Sequence, residues 1–334
     1  MKNSRLLIAL ALAGASVLPL AAGRNVTTLR DGWQFTHGRA GASAQWRNVR
    51  VPHDWAISGP FDIKNDLQTV RVEQNGETRA SLKTGRTGGL PFIGQGTYRT
   101  TFEVPDTTGR SLTLLFDGAM SHARVFLNGT EVAYWPYGYN SFFVDLRGAV
   151  RPGSNDLTVE LENKEKASRW YPGAGLYRNV HLINADRVHI PVWGTCVTTP
   201  DVSADRASVR LDMEIEGGRR LADSPFGEQI GVETVIISPQ GTEVASDSST
   251  YTARGQKFFQ NFLVEKPQLW DTENPALYTA RTELWRDGRM VDSYDTRFGI
   301  RKLEYLPEPQ LLFRHHRPRV APQGPLLSLP LEVE

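Results

Sequence analysis

One cysteine in 334 residues leaves no partner for a disulfide within the chain, so packed cores must hold whatever fold it takes. No sign of charge prevails either. Lys+Arg 38 against Asp+Glu 37 gives net +1, which leaves no global field to draw in nucleic acid or an anionic membrane. After residue 23 no apolar stretch approaches the ~20 residues that a membrane span needs. The chain also has no Gly-x-Ser-x-Gly elbow, no His-Glu-x-x-His pair and no phosphate-binding glycine loop. His315 and His316 are adjacent, so they miss the i, i+4 spacing that sets two imidazoles on one helix face. No metal, cofactor or nucleic-acid partner is expected. Helical periodicity is scarce, which removes helix bundles from consideration.

What remains is ordinary globular material: 40% hydrophobic and 22% charged residues. At ~150 residues per domain the length predicts roughly two domains. Trp 8, Gly 30 and Pro 20 fit aromatic-rich strands joined by many turns. Residues 1–23 stand apart. Lys2 and Arg5 precede the apolar run Leu6 to Leu12, and small residues lead to Ala21-Ala22-Gly23. This is the layout of a secretory signal peptide cut after Ala22 or Gly23, which predicts an exported protein, periplasmic or secreted. Cys196, with no reason to pair with any histidine, is expected to be a small buried hydrophobe.

Strand signals fill residues 24–186. Leu112 to Phe116 reads as a buried strand. Asn128-Gly129 between the alternating runs from Ala123 and to Tyr134 is a type I′ hairpin signature, because both central residues need positive φ. Phe142 to Leu146 and Leu157 to Leu161 add strands, with Pro152-Gly153 and Asn155-Asp156 placed in the turn between them. A second block, 187–303, alternates at Val209, Leu211, Met213 and Ile215. It continues with Val232 to Ile237, and Leu277 to Trp285 and Met290 to Phe298 flank Asp287-Gly288. Ile190-Pro191 and Asp201 to Asp205 read as loops. The prediction is all-β: a jelly-roll β-sandwich followed by an immunoglobulin-like β-sandwich. Residues 304–334, with six prolines from Pro307 to Pro330 and the basic run Arg314 to Arg319, are expected to be a disordered tail.

Carboxylates are abundant, and a glycosidase needs only two close together, but sequence alone cannot pick a pair from 37. The suggestive feature is three aromatic, glycine-rich loops: Pro91 to Gly96, Tyr134 to Tyr139 and Trp170 to Gly175. Aromatic faces beside loop polar groups suit stacking on a sugar, although such rings also fill cores.

The same loops carry a resemblance. Pro52-His53-Asp54-Trp55, Gly94-x-Gly96-x-Tyr98-Arg99-x-x-Phe102, the Asn128-Gly129 hairpin and Trp170-Tyr171-x-Gly173-Ala174-Gly175-x-Tyr177-Arg178 stand in order. Together they resemble the N-terminal sugar-binding domain of glycoside hydrolase family 2, the β-galactosidase-type enzymes. Leu269-Trp270-Asp271, Asn274-Pro275-x-Leu277-Tyr278 and Phe298-Gly299-Ile300-Arg301 resemble the close of that family's immunoglobulin-like domain. The resemblance implies carbohydrate, a β-galactoside or related glycoside, as partner. It also implies that first-domain loops form the rim of a pocket built mostly by a catalytic (β/α)₈ barrel, with Asn163, Ser168, Arg169 and Trp170 as rim residues. The family's two catalytic glutamates lie in that barrel, so no catalytic residue is assigned here. A barrel takes ~250 residues, and only residues 306–334 follow Tyr305. The expectation is therefore no (β/α)₈ barrel and an inactive N-terminal portion from a prematurely ended or frame-altered product. A stand-alone carbohydrate-binding module and a structural or adhesive sandwich are the alternatives.

Overall fold

A computed structural model describes residues 23–62, 65, 68–73, 76, 78–79, 81–85, 92, 94–164, 173–219, 227–252 and 258–302. The expected leader and tail lie outside these residues, apart from Gly23. Twelve strands come first: β1 (Asn25–Thr28), β2 (Trp33–His37), β3 (Arg47–Val49), β4 (Gln68–Val72), β5 (Ser81–Gly85), β6 (Gly94–Val104), β7 (Arg110–Phe116), β8 (Ala123–Leu127), β9 (Thr130–Trp135), β10 (Phe142–Asp145), β11 (Gly153–Asn163) and β12 (Val180–Asp186). Seven more follow: β13 (Thr195–Val202), β14 (Arg206–Met213), β15 (Gln229–Ile237), β16 (Glu243–Thr252), β17 (Phe258–Glu265), β18 (Tyr278–Arg286) and β19 (Arg289–Phe298). A 3₁₀ turn spans Trp55–Ser58.

The first sandwich sets a four-stranded sheet, β1-β12-β7-β10, against a six-stranded one, β3-β2-β6-β11-β8-β9. Alternation along each strand sends one set of side chains inward. Leu112, Leu114 and Phe116 of β7 meet Leu157, Val159 and Leu161 of β11 in one core. The backbone of the hairpin between β8 and β9 is as its sequence requires, with φ of 51° at Asn128 and 81° at Gly129. Strands β4 and β5 pair in a two-stranded sheet of their own among the described residues.

The second sandwich packs β13-β14-β17 against β16-β15-β18-β19. Val209, Leu211 and Met213 face Val232, Ile236 and Leu284 across its core. At the junction Asp292, fully buried, accepts two bonds from Arg24 at 3.0 Å and one from the Ile190 amide at 2.8 Å. Arg286 pairs with Asp186 beside it.

Three local readings are corrected. Asn155-Asp156 is not turn but strand, inside β11. Asn155 is buried and its Nδ2 donates to the carbonyls of Arg151 and Gly153, so the side chain closes the turn while its backbone keeps the ladder with Phe102. Asp201 is the penultimate residue of β13, paired with Ser208 after a bulge, rather than the start of a loop. Cys196 is exposed. Strand β13 is an edge strand whose faces alternate, so Val197 turns toward the core and Cys196 turns to solvent.

Candidate functional site at one end of the first sandwich

Antiparallel pairing brings the start of β6, the end of β11, the start of β8 and the end of β9 to one end of the six-stranded sheet. The loops at 51–59, 117–122, 136–141 and 173–179 converge there.

Asp54 holds two of these loops together. Its Oδ1 accepts from the Ala56 amide at 3.0 Å, capping the 3₁₀ turn, and from the Ala174 amide at 3.2 Å. The backbones add Trp55 N to Ala174 O at 3.1 Å and His53 N to Leu176 O at 2.7 Å. Asp54 is partly buried and bonded to these backbone amides. Arg178 is exposed and reaches the Asp117 carbonyl only at 3.5 Å.

Beneath these loops lies an aromatic cluster. Trp55 stacks on Phe35 at 5.4 Å, and its Nε1 donates to the Phe92 carbonyl at 3.1 Å. Gly96 lies against both rings; a Cβ there would lie 2.8 Å from Phe35 and closer still to Trp55. Tyr98 shares a 2.7 Å bond with His53 Nδ1 and donates to the His53 carbonyl at 3.2 Å. Burial, reinforced by the Arg47 charge, pushes the His53 imidazole down to about 4, so the ring is neutral at pH 7. His37 is lowered by the same two causes, and its buried Nδ1 has no hydrogen-bond partner among the described residues.

The far wall is built from the 117–122 and 136–141 loops. Met120 and Gly175 exchange backbone bonds at 3.0 and 3.1 Å, and the Tyr177 hydroxyl donates to the Gly138 carbonyl at 2.7 Å. Burial raises the Tyr177 phenol above its ordinary range, so it stays a neutral donor. Tyr137 and Tyr139, 5.5 Å apart, are each more than half exposed at this end, as is Tyr134. These rings do not fill the core; Trp135 of the same segment does pack against it.

Of the four expected rim residues, Asn163 is the last residue of the inward row of β11 and is buried at this end. Ser168, Arg169 and Trp170 lie outside the described residues. Sequence reasoning passed over Met120 and His122, whose partners lie elsewhere along the chain and carry no local pattern. The described residues hold no group of three or more metal-ligating side chains.

Known proteins bear on this geometry. Residues 188–301 match the family described as Glycosyl hydrolases family 2, and residues 90–175 match Glycosyl hydrolase 2 galactose-binding domain-like. The chain is 34% identical over 303 residues to the beta-galactosidase BoGH2A of Bacteroides ovatus, covering 87% of this chain and 33% of that protein. Among solved structures, a glycosyl hydrolase family 2 member from Bacteroides cellulosilyticus superposes with a TM-score of 0.70 at 27% identity, over 84% of this chain and 36% of that one. A beta-glycosidase from Bacteroides vulgatus gives a TM-score of 0.68 at 29% identity, over 85% and 34%. The chain thus spans about a third of the length of the relatives it matches, their N-terminal portion.

Proposed function

Because the chain belongs to glycoside hydrolase family 2 through its galactose-binding-like and immunoglobulin-like domains, we propose that it serves the hydrolysis of β-galactosides as the sugar-facing N-terminal portion of such an enzyme. The observation that carries this reading is the identity of 34% across 87% of the chain with a β-galactosidase. In this reading the first sandwich presents Asn163, Ser168, Arg169 and Trp170 as a rim. The Asp54 staple and the Met120–Gly175 exchange hold that rim in register. The immunoglobulin-like block, 187–303, fixes the rim's position through the Arg24–Asp292 junction. Residues 1–23 act as the export leader.

The chemistry assigns no acid or nucleophile to these sandwiches. A retaining glycosidase needs two carboxyl groups ~5–5.5 Å apart in a preorganised pocket, and no barrel is present among the described residues. The test is hydrolysis of an aryl β-galactoside by the purified, folded chain. No turnover above background is expected. Turnover that survives purification and vanishes on replacing a single Asp or Glu within 25–305 would overturn the assignment of catalysis elsewhere. Sugar contact at the rim is tested separately: Asn163→Ala should weaken methyl β-D-galactoside binding, and unchanged binding removes Asn163 from the rim.

A further inference from the structure

On β11 successive side chains point to opposite faces, so Asn163 turns inward while Glu160 and Glu162 lie on the outer face of the six-stranded sheet. Register aligns two rows on that face. One runs Tyr134, Arg124, Glu160, Thr97 across β9, β8, β11 and β6; the next pairs Glu162 with Gln95. Between the rows is an open depression of about 50 Å³, walled by Arg39 on one side and His122 on the other. We propose that this depression and the Tyr134 ring beside it form a second carbohydrate-binding site, for a neutral pyranoside, on a different face from the rim.

Three observations support it. Tyr134 is exposed over 53% of its surface, yet it is fixed, its hydroxyl sharing a 2.7 Å bond with His122 Nδ1. A ring held in one orientation loses little further freedom when a sugar face stacks on it. Second, the hydrogen-bonding groups are planar and ready. Among the described residues the side chains of Arg39, Gln95 and Glu162 make no hydrogen bond, whereas Arg124 is engaged by Glu131 and, at 3.6 Å, by Glu160. Planar forks of this kind match pairs of vicinal hydroxyls. Third, the charges balance. Arg39, Arg124 and Lys164 stand against Glu131, Glu160 and Glu162, and His122 is held below its ordinary range by burial and by Lys164. No net field favours a uronate, phosphate or sulfate. The depression is too small for a whole ring, so the hydroxyl edge enters it while the ring lies over Tyr134.

The test is titration of the ¹⁵N-labelled chain with methyl β-D-galactoside, lactose and, as the charged comparison, methyl β-D-glucuronide. Amide shifts are expected at Gln95, Thr97, Tyr134 and Glu162 with the neutral sugars. Tyr134→Ala and Glu162→Gln should each weaken binding at least tenfold with the melting temperature unchanged, since both side chains lie on the outer face. Shifts confined to residues 163–178 would remove this site and leave the rim reading standing. Absence of shifts, equal binding by the variants, or tighter binding of the glucuronide would each overturn the proposal as stated.

Discussion

Gly175 sits at φ +112°, where a side chain would press on the Tyr98 hydroxyl and the His53 carbonyl. Backbone conformation and space both demand glycine there. Gly175→Ala is expected to destabilise the first sandwich by about 2–4 kcal/mol, seen as a lowered urea midpoint. A nearby residue sets a pH dependence. The His53 pKa is about 4 in the folded chain, against an ordinary 6.5. Its contribution to stability is therefore complete above about pH 6.5 and is lost as pH falls toward 4, because the unfolded chain binds the proton first. With a ring that is partly solvated and screened, the loss is on the order of 1–2 kcal/mol. His53→Gln should flatten the difference between urea midpoints at pH 7 and pH 4.5. An unchanged difference would show that other groups carry it.

At the scale of strands and loops, the Asp54 staple makes a local claim. Asp54→Ala removes an acceptor shared by the Ala56 and Ala174 amides, at a cost of about 1–2 kcal/mol. Hydrogen exchange at those two amides should accelerate, while the β6–β11 ladder stays protected. Much at this scale was legible beforehand. The turns at Asn128-Gly129 and Asp287-Gly288 both join the strands their alternation marks. Strand β16, with the sequence Glu-Val-Ala-Ser-Asp-Ser-Ser-Thr-Tyr-Thr, showed no such pattern, because neither of its faces is deeply buried and few apolar positions are required. Asn155 misled for a different reason. Its residue type favours turns, but burial turned its side chain into the partner of Arg151 and Gly153. Of the candidate site, the sequence marked Asn163 at the end of β11 and the stretch that follows it. What surrounds it comes from contacts such as Met120 with Gly175 and Tyr177 with Gly138, which pairing creates across long separations.

For the whole molecule, the junction decides whether the sandwiches behave as one body. Asp292 is fully buried and satisfied by Arg24 and Ile190. Asp292→Ala would strip the largely buried Arg24 guanidinium of its carboxylate and leave it the Ile190 carbonyl and the Tyr294 ring, destabilising by about 3–5 kcal/mol. The chain is expected to melt in one transition by calorimetry, and this variant in two. A single transition in the variant would mean that the Arg286–Asp186 pair and the surrounding packing suffice to couple the sandwiches.

The outward turn of Cys196 has a practical consequence. The chain has one thiol, and it lies exposed on an edge strand of the second sandwich, away from the rim loops and from the outer face of the six-stranded sheet. A maleimide dye or a surface tether can therefore be attached at a single known position without mutagenesis. Such a label would leave both proposed sugar sites of the first sandwich unmodified, so an immobilised or fluorescent form of the chain can be used directly to test them by glycan screening.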